Sequence, residues 1–318
     1  MVATLARFLQ GIRTGNPIRH GNLVLVPLVG PAQGLDYQPA AEAIETGSLI
    51  VSEVSEGGSV PELLAVIEKD QKVLLIDGEE LVGAKQNRTL NTTILLPARS
   101  KTKIPVSCVE AGRWRYASRG FSSGTRLSSK LRRMMSGSSS DSYRSSGRAK
   151  TDQGMVWSEV DRYLTATGSS SASSAMHDAF VQQEKRLSEY VESAKVPPEA
   201  RGVAVAVCGR FIALDLLDRP DVFNRLWTRL VSGYAMDAID SEETAKPVGS
   251  FDAQEADRLL ARLGEVQCET FASVGVGEDW RFETPDFLGH ALVAEGTCVH
   301  LSAFPGSDSG QGEGKGPR

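Results

Sequence analysis

Histidine and cysteine are scarce, with four of each among 318 residues. Cys108, Cys208, Cys268 and Cys298 lie far apart, so neither a CxxC pair nor a disulfide framework can be drawn, and a reducing cytoplasm is the simplest home. Cys298 and His300 form the one pair that shares a strand face, with His290 in the same stretch, whereas a catalytic zinc asks for three protein ligands in firm geometry. No metal and no cofactor is expected. Long apolar runs are missing too: none approaches the roughly 20 residues of a membrane span. The stretch Met1–Gln10 has no uninterrupted apolar core and no clear cleavage site, which argues against a signal peptide. No GxSxG, no GxGxxG after a strand and no GxxxxGKS/T occurs, which removes the nucleophile elbow, the dinucleotide fingerprint and the P-loop. The 41% hydrophobic and 24% charged content is that of a soluble globular chain of one or two domains.

Charge is present but unevenly placed. Residues 117–150 hold eight basic residues against one acid, Asp141, within a chain of net charge −5, so everything outside this segment is strongly acidic. The segment also carries twelve serines and few apolar residues. Such a composition buries too little surface to offset its ordering entropy, so a disordered Ser/Arg-rich insertion is expected. It reads either as a solvated loop or as a recruiter of a polyanion such as RNA, or of a phosphorylated ligand.

The first third reads as strands. Asn22–Val29 and Leu49–Val54 are apolar runs; Lys72–Ile76 stops at the Asp77-Gly78 turn; 92–96 and 104–109 follow, joined by a basic turn at Arg99-Ser100-Lys101. Ser59 with Glu62 makes a capping box for a short helix over 60–68. Beyond 150 the period becomes helical. Asp152 caps one helix; a second runs from Met176 to Ala194 before Pro197-Pro198; Pro220 opens a third; Asp252 with Glu255 caps a fourth. Val203–Cys208 is a central strand, and strands return at 266–274, 280–283 and 291–302. The fold class is therefore α+β: a mostly antiparallel sheet from the N-terminal third and the C-terminal strands, covered by helices from residues 152–263. One domain spans 1–305, with a disordered tail over 306–318.

Between the strands lies a dense polar stretch, Gly78-Glu79-Glu80 through Gln86-Asn87-Arg88 and Asn91, then Cys108-Val109-Glu110-Ala111-Gly112-Arg113-Trp114. Polar groups buried without partners cost roughly 1–3 kcal/mol each, so their concentration marks a pocket. Cys108 and Glu110 share a strand face, and two readings stand: a nucleophile with its base, or an inert thiol beside a structural carboxylate. Arg88 and Arg113 either fork onto phosphate or carboxylate, or tie turns together with Gln86, Asn87 and Asn91. Glu79 and Glu80 are ligands or bases, or solvated turn acids. If 92–96 pairs with 104–109, then Glu79, Gln86, Arg88, Cys108, Glu110 and Arg113 converge on one site, with Gly83 and Gly112 allowing close backbone approach.

These residues resemble a family. Glu79, Gly83, Gln86-Asn87-Arg88, Asn91, Pro105 through Glu110 and Gly112-Arg113-Trp114 look like the signature of the ADP-ribosylglycohydrolase and rhodanese-phosphatase superfamily-associated protein family. Asp152-Gln153-Gly154 with Val156-Trp157, and Phe211 to Asp215 before Phe223 and Trp227, extend the likeness over roughly residues 8–304. The resemblance implies a role near ADP-ribose or other phosphorylated nucleotide ligands of NAD-derived metabolism. Three functions follow from it and from the residues. The chain processes or binds such a small molecule at this pocket; it is a non-catalytic sensor of the ligand; or it is an interaction protein using the basic segment.

Overall fold

The computed structural model describes residues 3–32, 34–241 and 250–307. Alternation of side chains explains its largest layer. Within the strand Leu23–Val29, Leu23 and Leu25 enter one apolar cluster while Val24, Val26 and Leu28 enter another on the opposite face. The strand Ala200–Val207 divides the same way, so these runs are apolar throughout because both faces are covered. They are neighbours in a ten-stranded sheet whose C-terminal half runs Gln267–Ala272, Glu278–Glu283, Phe287–Ala294, Thr297–Pro305 and Arg210–Leu217. The helices Gln153–Ala166 and Pro220–Ser241 cover one face, and the helix Ala253–Gly264 packs on the other.

A six-stranded sheet carries most of the polar stretch, in the order Phe121–Arg126, Glu79–Gly83, Arg88–Leu90, Lys101–Cys108, Glu62–Ile67, Leu49–Glu53. Ile94–Leu96, Val73–Leu75 and Gln38–Pro39 make a third, smaller sheet. Every strand pairing is antiparallel except Gln38–Pro39 on Val73–Leu75. The α+β class and the antiparallel sheets are as expected. No helix among the described residues is long and apolar enough to cross a membrane.

Five local expectations are corrected. Residues 62–67 form a strand, not a helix: Leu63, Ala65 and Ile67 are buried at a period of two, and two neighbouring strands hold them. The 291–302 run is the hairpin Phe287–Ala294 and Thr297–Pro305, turned at Glu295-Gly296 with both φ positive. Its register slips opposite Leu292 and Val293, and Val299 is the extra residue, so Cys298 and His300 face different clusters rather than one. The helix from 176 breaks at Gln183. The 94–96 strand pairs with Val73–Leu75 and not with the strand ending at Cys108.

The fifth correction is the largest. Residues 117–150 are ordered, as the strand Phe121–Arg126 and the helix Ser129–Ser146. Ser128 caps that helix, Asp237 accepts from the Ser129 and Lys130 amides, and Gly147 ends it in the left-handed region. Its serines are small enough to pack: Ser129, Ser136, Ser139 and Ser140 are buried. Its arginines answer acids elsewhere in the chain. Arg126 and Arg132 both reach Asp77 and Asp215, and Arg144 meets Asp141, Glu269 and Glu283. Composition scored locally cannot register counterions a hundred residues away. Arg119, Lys130, Arg144, Arg148 and Lys150 stay exposed, of which Lys130 pairs with Glu159 and Arg144 with three acids. The expected tail falls at 306–318, of which 308–318 lie outside the described residues.

Burial would raise the carboxyls of Asp77 and Asp215, but the two guanidiniums outweigh it and hold both well below the usual range. Removing one partner leaves buried charge uncompensated. Arg132→Ala should therefore lower unfolding free energy by roughly 3–5 kcal/mol in urea denaturation. A loss under about 1 kcal/mol, the range of an exposed pair, would show that the segment is not tied to the core.

Candidate functional site

The site starts at a tight connection between two strands. Gly83 has φ +128 and Ala84 φ +39; a Cβ on Gly83 would meet Ser118 Oγ at 2.4 Å, so glycine is required there. Asn87 Oδ1 closes the connection by accepting from the Gly83 amide at 3.1 Å. The chain then enters Arg88–Leu90, which pairs with Lys101–Cys108 in a register setting Arg88 opposite Cys108. This pairing, and not one from the 94–96 strand, brings the two polar motifs together.

Glu110 is the organising carboxylate. It accepts from Arg113 Nε at 2.8 Å and Ser173 Oγ at 2.7 Å on one oxygen, and from Arg113 Nη2 at 2.7 Å and the Asn87 amide at 3.0 Å on the other. Burial pushes its carboxyl up, yet these hydrogen bonds outweigh burial and keep it below the usual range. Gly112 lets the chain approach Ser173, where a Cβ would lie 2.9 Å from the Ser173 Cα. Arg113 also donates to the carbonyls of Ala84, Arg115 and Gly83 and to Asn87 Oδ1. All five of its N–H groups are engaged within the protein, so Arg113 is a clamp and not a grip for phosphate.

Arg88 is different. Its Nη1 donates to Gln86 Oε1 at 2.8 Å and to Cys108 Sγ at 2.9 Å, but Nε and Nη2 make no hydrogen bond although the residue is fully buried. Glu53 approaches Nη2 only to 3.9 Å. The Trp114 ring centroid lies 5.4 Å from the Arg88 guanidinium, and Lys85 Nζ lies 5.5 Å from Trp114 and 5.1 Å from Tyr116. Lys85, Arg88 and Arg113 against Glu53 and Glu110 leave the cluster positive by one. Cys108 is held in place by Gln153, which bonds its amide and its carbonyl at 2.8 Å each. Burial raises the thiol to about 11, outweighing Arg88, so it is protonated at neutral pH and lacks the lowered pKa a nucleophile needs.

Gln86, Asn87, Arg88, Cys108, Glu110 and Arg113 thus form one bonded cluster with Trp114 over it. Glu79 and Asn91 stand apart. Glu79 bonds the Ile76 amide and pairs across the sheet with Arg126, nearer Asp77. Asn91 ties Ser107 to the Ala149 carbonyl. Neither Glu79 nor Glu80 is a solvated turn acid, since both are buried. Sequence reasoning missed Glu53, Lys85, Gln153 and Ser173, and missed His177, which bonds Glu80. Lys85 was signalled by its place inside the motif and Gln153 by the Asp152-Gln153-Gly154 likeness; Glu53, Ser173 and His177 come from other segments with no pattern to mark them. One further group has metal-ligand spacing, Asp77 with His290 and His300, whose ligand atoms lie within 4.8 Å of one another. Arg126 and Arg132 already occupy Asp77, and two guanidiniums beside the trio oppose a cation.

The model of the ARG and Rhodanese-Phosphatase-superfamily-associated Protein domain, ARPP-1, matches residues 11–304. The chain belongs to the ARPP-1 family. The match covers the Glu110 clamp, Arg88 and the ordered basic segment alike, as a single unit. No curated protein and no solved structure matches the chain. The family's name associates it with ADP-ribosylglycohydrolases and rhodanese-phosphatases and names no particular reaction.

Two outcomes are expected. Cys108 should resist iodoacetamide at pH 8 in the native protein and react only after denaturation; rapid native labelling in a peptide map would contradict the protonated, buried thiol. Glu110→Gln should destabilise the protein by roughly 1–3 kcal/mol at pH 7. A folded-state pKa below the unfolded value means the stabilisation is full above about pH 4.3 and is lost as pH falls through the lower, folded value. The two denaturation profiles should therefore converge in acid, and a gap that stays constant down to acid unfolding would contradict it.

Proposed function

We propose that this ARPP-1 chain binds a phosphorylated nucleotide ligand of the ADP-ribose type at Arg88. The observation that carries this reading is the bare Nε–Nη2 edge of a fully buried guanidinium. That edge is the planar fork that takes two oxygens of a phosphate, and leaving it unmade in the folded protein is unfavourable by roughly 1–3 kcal/mol. The excess positive charge of the cluster supports an anion. Trp114 and Tyr116, exposed beside Lys85 and Arg88, supply π-faces for a base.

Binding is favoured over turnover. Cys108 is held protonated, Glu110 is committed to Arg113, Ser173 and the Asn87 amide, and Glu79, whose Oε1 has no partner, lies outside the cluster, so none of the three is poised for proton transfer at Arg88. None of the four cysteines forms a disulfide, which supports a reducing, cytoplasmic setting.

Calorimetric titration tests it, with ADP-ribose and AMP against adenosine as the phosphate-free control. The two phosphates should bind with submillimolar affinity and adenosine at least tenfold more weakly. Arg88→Lys keeps the charge but loses the fork and should weaken ADP-ribose binding about tenfold or more, a loss of roughly 1.5–3 kcal/mol. Trp114→Ala, at an exposed position, should weaken binding with little change in melting temperature. Equal affinity for adenosine and AMP, or no heat at millimolar ADP-ribose, would sink the proposal.

A further inference from the structure

An apolar hollow lies away from Arg88. A cavity of about 350 Å³ opens between the helices Met176–Gln182 and Glu184–Ser193 and the helix Pro220–Ser241. Phe180, Val181, Leu187 and Val191 form its apolar wall, and Val181 is 55% exposed. The volume falls within the range of small-molecule sites.

Its polar groups are all acidic or neutral, apart from one imidazole. His177 lines the cavity and its Nδ1 lies 3.0 Å from Glu80 Oε2, which also accepts from Thr125 Oγ1 at 3.1 Å. Glu80 is fully buried, its Oε1 has no partner, and no lysine or arginine bonds it among the described residues. The hydrogen bond to Glu80 raises the His177 pKa, so the imidazole serves as the partial counterion of that carboxylate. Glu184 and Glu192 also line the cavity, eight residues apart on one face of their helix, and neither has an ion pair among the described residues. The nearest cation of the facing helix, Arg229, turns away to Ser123 and Glu45. Glu184 and Glu192 thus give the rim of the hollow a negative charge, and the Glu80 carboxylate lies behind His177, outside its wall.

The geometry points to a second binding site here, for a small amphiphile with an apolar body and a primary ammonium head. The body would lie on Phe180, Leu187 and Val191, and the head on a carboxylate at the rim, that of Glu184 or Glu192, which stand about 12 Å apart along the helix axis. The site is separate from the anion site at Arg88 and does not depend on it.

The probe is n-hexylammonium, with 1-hexanol and hexanoate as neutral and anionic counterparts of the same body, followed by methyl shifts of Val181 and Val191 in NMR titrations. Hexylammonium should saturate, hexanol should bind about tenfold more weakly, and hexanoate should not bind, as a charge-assisted contact requires. Glu184→Gln with Glu192→Gln should bring hexylammonium down to the affinity of hexanol; both positions are exposed, so folding should be unaffected. Val191→Trp should remove binding of both. Arg88→Lys should leave hexylammonium binding unchanged, which separates failure here from failure of the nucleotide reading. Equal affinity for amine and alcohol, or no saturation by about 10 mM, a negligible affinity, would overturn the proposal.

Discussion

Asp77 and Asp215 belong to different sheets, and neither can be buried alone. Asp77 follows the strand Val73–Leu75 of the smallest sheet, and Asp215 sits in Arg210–Leu217 of the largest. Arg126 closes a strand of the third sheet and Arg132 lies on the helix that follows it, and both guanidiniums touch both carboxylates. Ser302 donates to Asp215 at 2.7 Å, Tyr234 donates to it at 2.5 Å, and His300 lies 3.2 Å away. The four charges cancel, and the surrounding hydroxyls and imidazoles satisfy most remaining lone pairs, the condition under which a buried ionic cluster is tolerated. Gly78, at φ +74, completes the fit, since a Cβ there would meet Arg132 Cγ at 2.7 Å. All three sheets are joined through this one cluster.

The candidate site inherits its rigidity from that junction. Arg126 pairs across from Glu79 at the start of the strand Glu79–Gly83, and the far end of the same strand carries the turn that sets Asn87 and Arg88. A strand fixed at one end by ions and at the other by the Glu110–Arg113 clamp has little freedom to relax. The Arg88 guanidinium edge, buried beneath Trp114, stays unpaired there.

The sequence made the α+β class, the central strands and the polar cluster legible because each leaves a local mark: apolar runs, turn glycines, and polar residues where a core strand has none. It misassigned what is set by partners far along the chain. Residues 62–67 carry a helix cap, yet two flanking strands decide their state. The Ser/Arg segment has the composition of a disordered loop, yet Asp77 and Asp215 need its arginines. The convergence of Arg88 with Glu110 was anticipated through the wrong strand pair, since the register that creates it is Arg88 on Cys108. Pattern reports which faces are buried, whereas pairing is chosen by the whole molecule.

The same register also sets two unlike buried groups back to back. Adjacent residues of a strand point to opposite faces. Arg88 therefore turns toward Cys108 and Trp114, while Thr89, paired with Glu80, turns toward His177 and Thr125. One face ends in a cation with donors to spare, and the other in a buried carboxylate with an oxygen to spare. Each would be unfavourable alone in a low-dielectric interior, but set on either side of a two-strand ladder their opposite charges moderate one another. The two faces of this ladder thus carry buried groups of opposite charge, separated by a single layer of backbone.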